Sequence, residues 1–136
     1  MVEELDRIEE SRIRKSPQCL AILKELRKRS DHPTALDIHE EIKKVFPNLS
    51  LATVYNNLKK LTEHGFIQEV SVKNESNRFD GNPKTHYHMI CIDCGEVNDL
   101  DYPLFHEIEL FVSQLHNFIV SEHELNLYGV CKYCQQ

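Results

Sequence analysis

Two cysteine pairs of identical spacing stand in the C-terminal part of the sequence, Cys91-x2-Cys94 and Cys131-x2-Cys134, with 36 residues between Cys94 and Cys131. Zinc takes four ligands in a tetrahedron, and two such pairs supply four soft thiolates with no position left open. That is the chemistry of a structural zinc site, although an iron–sulfur cluster could use the same ligands. The fifth cysteine, Cys19, falls on an apolar helical stripe and reads as a small core residue.

A second cluster carries nitrogen and oxygen donors. His86 and His88 are two apart on an expected strand, so both imidazoles leave the same face. Asp80 precedes them and Asp99 follows. A thiolate-free set of this kind suits Fe(II), Mn(II), Zn(II) or Ni(II), and spacing alone does not choose among them. Asp101, His106, His116 and His123 are weaker candidates, placed on the surface, behind the ligands, or in an additional site. A hydrolase using this ion to activate water would need a general base and a substrate pocket, and no His-Glu-x-x-His or nucleophile-elbow motif is present.

A third constellation runs from Ser50 to Lys60. With Leu51, Val54, Leu58 and Leu61 turned inward, the other face offers Ala52, Tyr55, Asn56, Lys59 and Lys60, joined at the helix start by Ser50 and Thr53. Amide side chains can read base edges, small and aromatic groups can meet thymine methyls, and lysines can hold phosphates.

These groups must be positioned by the elements around them. Cys19, Ile22, Leu23 and Leu26 mark a first helix, with Ser16 as its cap and Pro17 in its first turn. A second starts at Thr34, where Thr34-Ala35-Leu36-Asp37 has the form of a capping box, and carries Ala35, Ile38, Ile42 and Val45 on one face before Pro47. The third begins at Ser50 and stops at His64-Gly65. Residues 66–72 and 77–79 then read as a hairpin, completing a winged helix-turn-helix whose third helix is the candidate DNA reader.

After a hinge at 81–84 the pattern changes to strands at 86–92, 95–100 and 118–128. A helix starting at Pro103 lies between the last two, with Leu104, Ile108, Phe111, Val112 and Leu115 as its apolar stripe. The expected fold is α+β, with a DNA-binding domain over 1–80 and a dimerisation and metal-binding domain over 85–136. A half of about 50 residues is too small to stand alone, which implies a zinc staple and burial against a second copy.

Charge divides along the same line. The net charge of −6 resolves into +1 through residue 79, where 14 basic residues face 13 acidic ones, and −7 from Asp80 onward, where 2 face 9. Five of the eight histidines fall in the acidic part, so the halves suit DNA and metal respectively. The start Met1-Val2-Glu3-Glu4-Leu5-Asp6 is acidic and lacks an apolar leader core, and no run of about 18 apolar residues occurs. The expectation is a cytoplasmic protein, not an enzyme, without a membrane segment, whose cysteines hold metal rather than disulfides.

Together these segments resemble the ferric uptake regulator (Fur) family from about Arg14 to Cys134. The matching stretches are Ser16-Pro17-Gln18, His32-Pro33-Thr34-Ala35, residues 47–55, Arg78-Phe79-Asp80, His86-Tyr87-His88-x2-Cys91-x2-Cys94-Gly95, and Tyr128-Gly129-Val130-Cys131-x2-Cys134. The resemblance implies a homodimeric repressor and adds His32 to Asp80, His86, His88 and Asp99 as a regulatory ligand. It also implies that an ion shared by the two halves favours the arrangement in which two recognition helices match a palindromic operator.

Asp99, where iron-uptake members commonly have Glu, and Asn56, where they commonly have Arg, resemble the peroxide-sensing PerR branch. There, Fe(II) in the regulatory site reacts with peroxide and a ligand histidine is oxidised; by position these are His32 and His86. The alternative is an iron-uptake or other metal-homeostasis regulator of the same family. The chain departs from the family at Cys19, where Arg is usual. It departs from many iron regulators at Thr85 and Tyr87, which bears on the additional metal site those members have.

Overall fold

The computed structural model describes residues 16–84 and 86–135. The expectations for the acidic N-terminus, for the start of the family likeness near Arg14 and for Thr85 lie outside the described residues. The chain divides into two compact units, parting between residues 84 and 85.

In the first unit, α1 (Pro17–Lys28) is capped by Ser16, whose Oγ accepts the Cys19 N–H at 3.3 Å. In α2 (Ala35–Ile42) the capping is reciprocal: Thr34 Oγ1 accepts the Asp37 N–H, and Asp37 Oδ2 accepts the Thr34 N–H, each at 3.1 Å. The α2 face ends sooner than expected. Val45 is 71% exposed, because after Ile42 the chain tightens into a turn in which the Val45 N–H reaches the Ile42 carbonyl, three residues back.

Helix α3 (Leu51–Glu63) is capped by Ser50 and stopped by Gly65 at φ +77°. There the Phe66 N–H returns to the Leu61 carbonyl at 3.0 Å, a closure that favours a glycine. Ile22, Leu26, Ile38, Val54, Leu58 and Leu61 are fully buried between the three helices, with Cys19 and Phe79 completing the core. Strands β1 (Gln68–Val70) and β2 (Arg78–Asp80) pair antiparallel, with Gln68 opposite Asp80. They are shorter than the expected runs, and β2 extends one residue further, to Asp80. Three helices and a two-stranded wing make this unit a winged helix-turn-helix.

The second unit is a three-stranded sheet in the order β4-β3-β5. Its central strand β3 (Tyr87–Cys91) lies antiparallel to β4 (Val97–Leu100) and parallel to β5 (Asn126–Gly129). Helix α4 (His106–His116) connects β4 to β5. Two expectations need correction here. The helix starts at His106 rather than Pro103, because Phe105 has a ψ of 75°, outside the helical range, while its N–H donates to the Tyr87 hydroxyl at 2.8 Å. The strand expected from Phe118 forms only from Asn126, where β3 offers a partner. Phe118 and Ile119 remain exposed. No residue of α4 is buried, and Ile108, Phe111 and Leu115 are open along its apolar stripe.

Candidate metal centres and DNA-binding face

The four cysteine sulfurs of the second unit lie within 4.8 Å of one another. Cys91 closes β3, Cys94 follows in the next turn, and the parallel pairing of Cys91 with Gly129 brings Cys131 and Cys134 alongside. Cys94 Sγ and Cys131 Sγ are 3.8 Å apart, which is the edge of a tetrahedron with Zn–S bonds of about 2.3 Å. Backbone amides prepare the cluster for charge: the N–H groups of Cys94 and Cys131 donate to Cys91 Sγ at 3.5 and 3.4 Å. These bonds, Cys94 first, bring the Cys91 thiol down to about 6, while hydrogen bonding to the Cys131 side chain and burial push Cys134 up to about 12. Four thiols so close cannot all ionise without a cation, and a divalent ion resolves the conflict. The donor set fits zinc.

The nitrogen and oxygen donors form a separate arrangement in each unit. In the second unit, His88 lies opposite Asp99 across β3 and β4, and His86, two residues before it, leaves the same face. Asp99 Oδ1 is 2.8 Å from His86 Nε2 and 3.4 Å from His88 Nε2, with the two rings 4.4 Å apart. Ligand atoms bound to one ion at about 2.1 Å sit roughly 3.0–3.4 Å from each other, so these three fit a shared ion with little rearrangement. His88 is buried and Asp99 is exposed.

In the first unit, His32 Nε2 and Asp80 Oδ2 are 3.1 Å apart, both residues buried. The chain from His32 to Thr34 lies along β2: Thr34 bridges Arg78, the Phe79 N–H donates to the Pro33 carbonyl, and Arg78 Nη1 donates to the His32 carbonyl. His32 itself has φ +50°, a left-handed conformation that costs a non-glycine residue about 1 kcal/mol or more and is held by these contacts. Asp80 Oδ1 accepts the Asn82 N–H at 2.9 Å, fixing the carboxylate's second oxygen.

The expected DNA-reading residues lie on α3. Ala52, Tyr55, Asn56, Lys59 and Lys60 are exposed together, opposite buried Val54, Leu58 and Leu61, and Thr53 is half-buried. Ser50 Oγ is committed to the cap, accepting the Thr53 N–H and lying 2.9 Å from Thr53 Oγ1.

The sequence model of the ferric uptake regulator family matches residues 10–128, covering α3 and all the histidine and carboxylate positions described above. The chain belongs to the ferric uptake regulator family. Within it, the chain is 41% identical over 133 residues to the peroxide-responsive repressor PerR of Staphylococcus aureus strain Mu50, spanning 98% of this chain and 90% of that one. Among solved structures it resembles the Campylobacter jejuni peroxide stress regulator at 33% identity and a TM-score of 0.75, covering 96% and 98% of the two chains. The Helicobacter pylori ferric uptake regulator, at 24% identity and a TM-score of 0.80 over 100% and 95%, shares the fold.

Sequence reasoning missed three residues of this Fur-family chain that organise the sites. Tyr87, between the two histidines, joins His123 and the Phe105 amide through its hydroxyl. Glu109 receives His123 Nδ1 at 2.9 Å and lies 3.3 Å from His106 Nδ1. Gln68 donates to the carbonyls of Asn82 and Lys84, both at 2.8 Å. The His-x2-Glu spacing of His106 and Glu109 on one helix face was the only signal for any of them.

Proposed function

We propose that the protein is a metal-dependent transcriptional repressor that senses peroxide, binds a palindromic operator as a homodimer and works in the cytoplasm. One structural zinc per subunit is held by Cys91, Cys94, Cys131 and Cys134. The regulatory ion, Fe(II) or Mn(II), takes His32 and Asp80 from the winged helix and His86, His88 and Asp99 from the dimerisation unit. The observation carrying this reading is the convergence of His86 and His88 on one Asp99 oxygen, a thiolate-free set kept apart from the four thiols. The 41% identity to a peroxide-responsive repressor supports the sensing branch.

The residues set the switch. His32 and Asp80 belong to the unit that reads DNA, so a ligand bond at either one links metal occupancy to that unit. To move the protein from almost wholly released to almost wholly operator-competent, binding must favour the competent form by about 5.5 kcal/mol. Fe(II) held by these residues would give peroxide the electron that breaks its O–O bond, which redox-inert zinc could not do. His32 and His86 would be the imidazoles placed to gain one oxygen of the peroxide, the other leaving as water, and an oxidised ring is a poor ligand. On α3, Asn56, Tyr55 and Ala52 face base edges, while Lys59, Lys60 and the Ser50–Thr53 start of the helix face phosphates. The open stripe of α4 suits burial against a second copy.

The test is intact-mass measurement and operator binding on anaerobic Fe(II)-loaded protein, before and after stoichiometric peroxide, with a Mn(II)-loaded control. The operator is selected from random DNA by the Mn(II) form. Loss of binding together with one added oxygen on His32 or His86, absent in the control, is expected. Retained binding at unchanged mass would instead identify a metal-homeostasis regulator.

A further inference from the structure

Tyr87 is fully buried, and as the first residue of β3 it stands between His86 and His88. Strand alternation sends its side chain to the face opposite theirs. Its hydroxyl accepts the Phe105 N–H at 2.8 Å and donates to His123 Nε2 at 2.6 Å. The direction of the second bond follows from the far side of the ring. Glu109 Oε1 lies 2.9 Å from His123 Nδ1, and a carboxylate can only accept, so Nδ1 carries a proton and, in the neutral ring, Nε2 is the acceptor. Hydrogen bonding to His123, then to His106, holds the Glu109 carboxyl below its usual range and keeps it an acceptor.

With a neutral His123 ring the direction of each bond in this chain of groups is set. Phe105 donates to Tyr87, Tyr87 to His123, and His123 to Glu109. The Tyr87 ring also stacks on Phe105 with centroids 6.0 Å apart and contacts the His123 ring at 5.6 Å. The back of β3 is thus tied to the start of α4 and to the segment leading into β5. Its front carries His86 and His88 on a single carboxylate oxygen, an arrangement sensitive to small changes in strand pleat or twist.

We propose that Tyr87 is a positioning residue for the regulatory metal: its hydroxyl, held between His123 and the Phe105 amide, fixes the pleat of β3 so that His86 and His88 reach one ion. The Tyr87–His123–Glu109 relay touches no ligand and acts only through the strand. This rests on the metal-site reading above. Removing groups that orient ligands weakens metal binding by 10- to 100-fold in characterised sites, and an indirect device of this kind belongs near the lower figure.

The experiment is Mn(II) titration of the zinc-loaded protein by electron paramagnetic resonance, with zinc content measured in parallel. Tyr87→Phe, which keeps the ring and deletes the hydroxyl, should weaken Mn(II) binding about tenfold at unchanged zinc. His123→Ala should do the same, and the double variant should be no weaker than either single one, because the two residues act as a unit. Val97→Ala serves as a control, since it truncates a buried side chain on β4 outside the relay. It should lower the melting temperature yet leave Mn(II) affinity in place. Wild-type affinity in Tyr87→Phe would overturn the proposal, as would an equal loss in Val97→Ala. If Tyr87→Phe does not fold, wild-type affinity in His123→Ala overturns it. Failure of the underlying site reading looks different: Mn(II) binding would then survive His88→Ala.

Discussion

His32 reaches Asp80 across 48 residues of sequence from a left-handed backbone, Nε2 to Oδ2 at 3.1 Å. A glycine at this position would adopt φ +50° without steric cost. His32→Gly should therefore fold the winged helix with a stability within about 1 kcal/mol of the parent, as relief of backbone strain offsets the lost side chain. Mn(II)-dependent operator binding should be abolished in the same variant. A thermal melt beside a gel-shift titration checks both, and metal-dependent binding that persists would remove His32 from the ligand set.

The zinc cluster should control the fold of its unit. Cys91→Ser or Cys131→Ser should lose zinc and unfold or monomerise residues 85–136, since structural zinc contributes folding free energy directly. Light scattering with zinc analysis reads the outcome, and a stable zinc-free dimer would contradict it. The pH dependence follows from Cys91, whose thiol is brought down to about 6, first by the Cys94 amide. A lowered acid stabilises the folded state fully above the unfolded thiol range of about 8.5, and that stabilisation fades as pH falls through about 6. Zinc retention after desalting should accordingly fall as pH drops from mildly alkaline values, and more steeply below about 6, where a proton competes for Cys91 as well.

On α3, charge and specificity should separate. Lys59→Ala and Lys60→Ala should each weaken operator binding and reduce the slope of log affinity against log salt by about 1. Asn56→Ala should leave that slope alone and relax sequence choice at one position of each half-site, by about 1–3 kcal/mol against the wrong base. Salt titrations on two operator variants distinguish these results, and a slope unchanged by the lysine substitutions would move the DNA surface elsewhere.

Gly81 follows Asp80 and packs against the end of α1. A β-carbon there would meet the Leu26 carbonyl oxygen at 2.7 Å, its carbon at 2.8 Å and Arg27 Cα at 2.9 Å, all backbone atoms. Gly81→Ala should destabilise the winged helix by about 1–3 kcal/mol, as overpacking does, and should weaken Mn(II) binding through displaced Asp80. Denaturant unfolding at unchanged stability would show that the chain has room to shift.

Local chemistry made much of this fold legible. The Ser16, Thr34 and Ser50 caps and the Gly65 stop act within a few residues of where they are written, and each occurs as read. The paired cysteines and the His86-x-His88 spacing likewise bring their groups together through nearest strand neighbours. What depended on distant partners was not legible. Val45 left its helix face because the last turn tightened, α4 started late because Phe105, bonded to Tyr87, stands outside the helical conformation, and residues 118–125 lacked a strand to pair with. His32 entered only through family resemblance, since no spacing rule connects it to Asp80. The relay through His123 and Glu109 joins three segments and leaves no periodic trace.

The uncovered stripe on α4 also makes the protein's abundance part of its physics. If a second copy covers Ile108, Phe111 and Leu115, folding of that unit becomes a bimolecular equilibrium governed by mass action, and its melting temperature rises with concentration. A cell holding few copies would keep more chains apart and open to proteolysis, whatever the metal supply. Dilution and metal starvation would then converge on one outcome, an unoccupied operator.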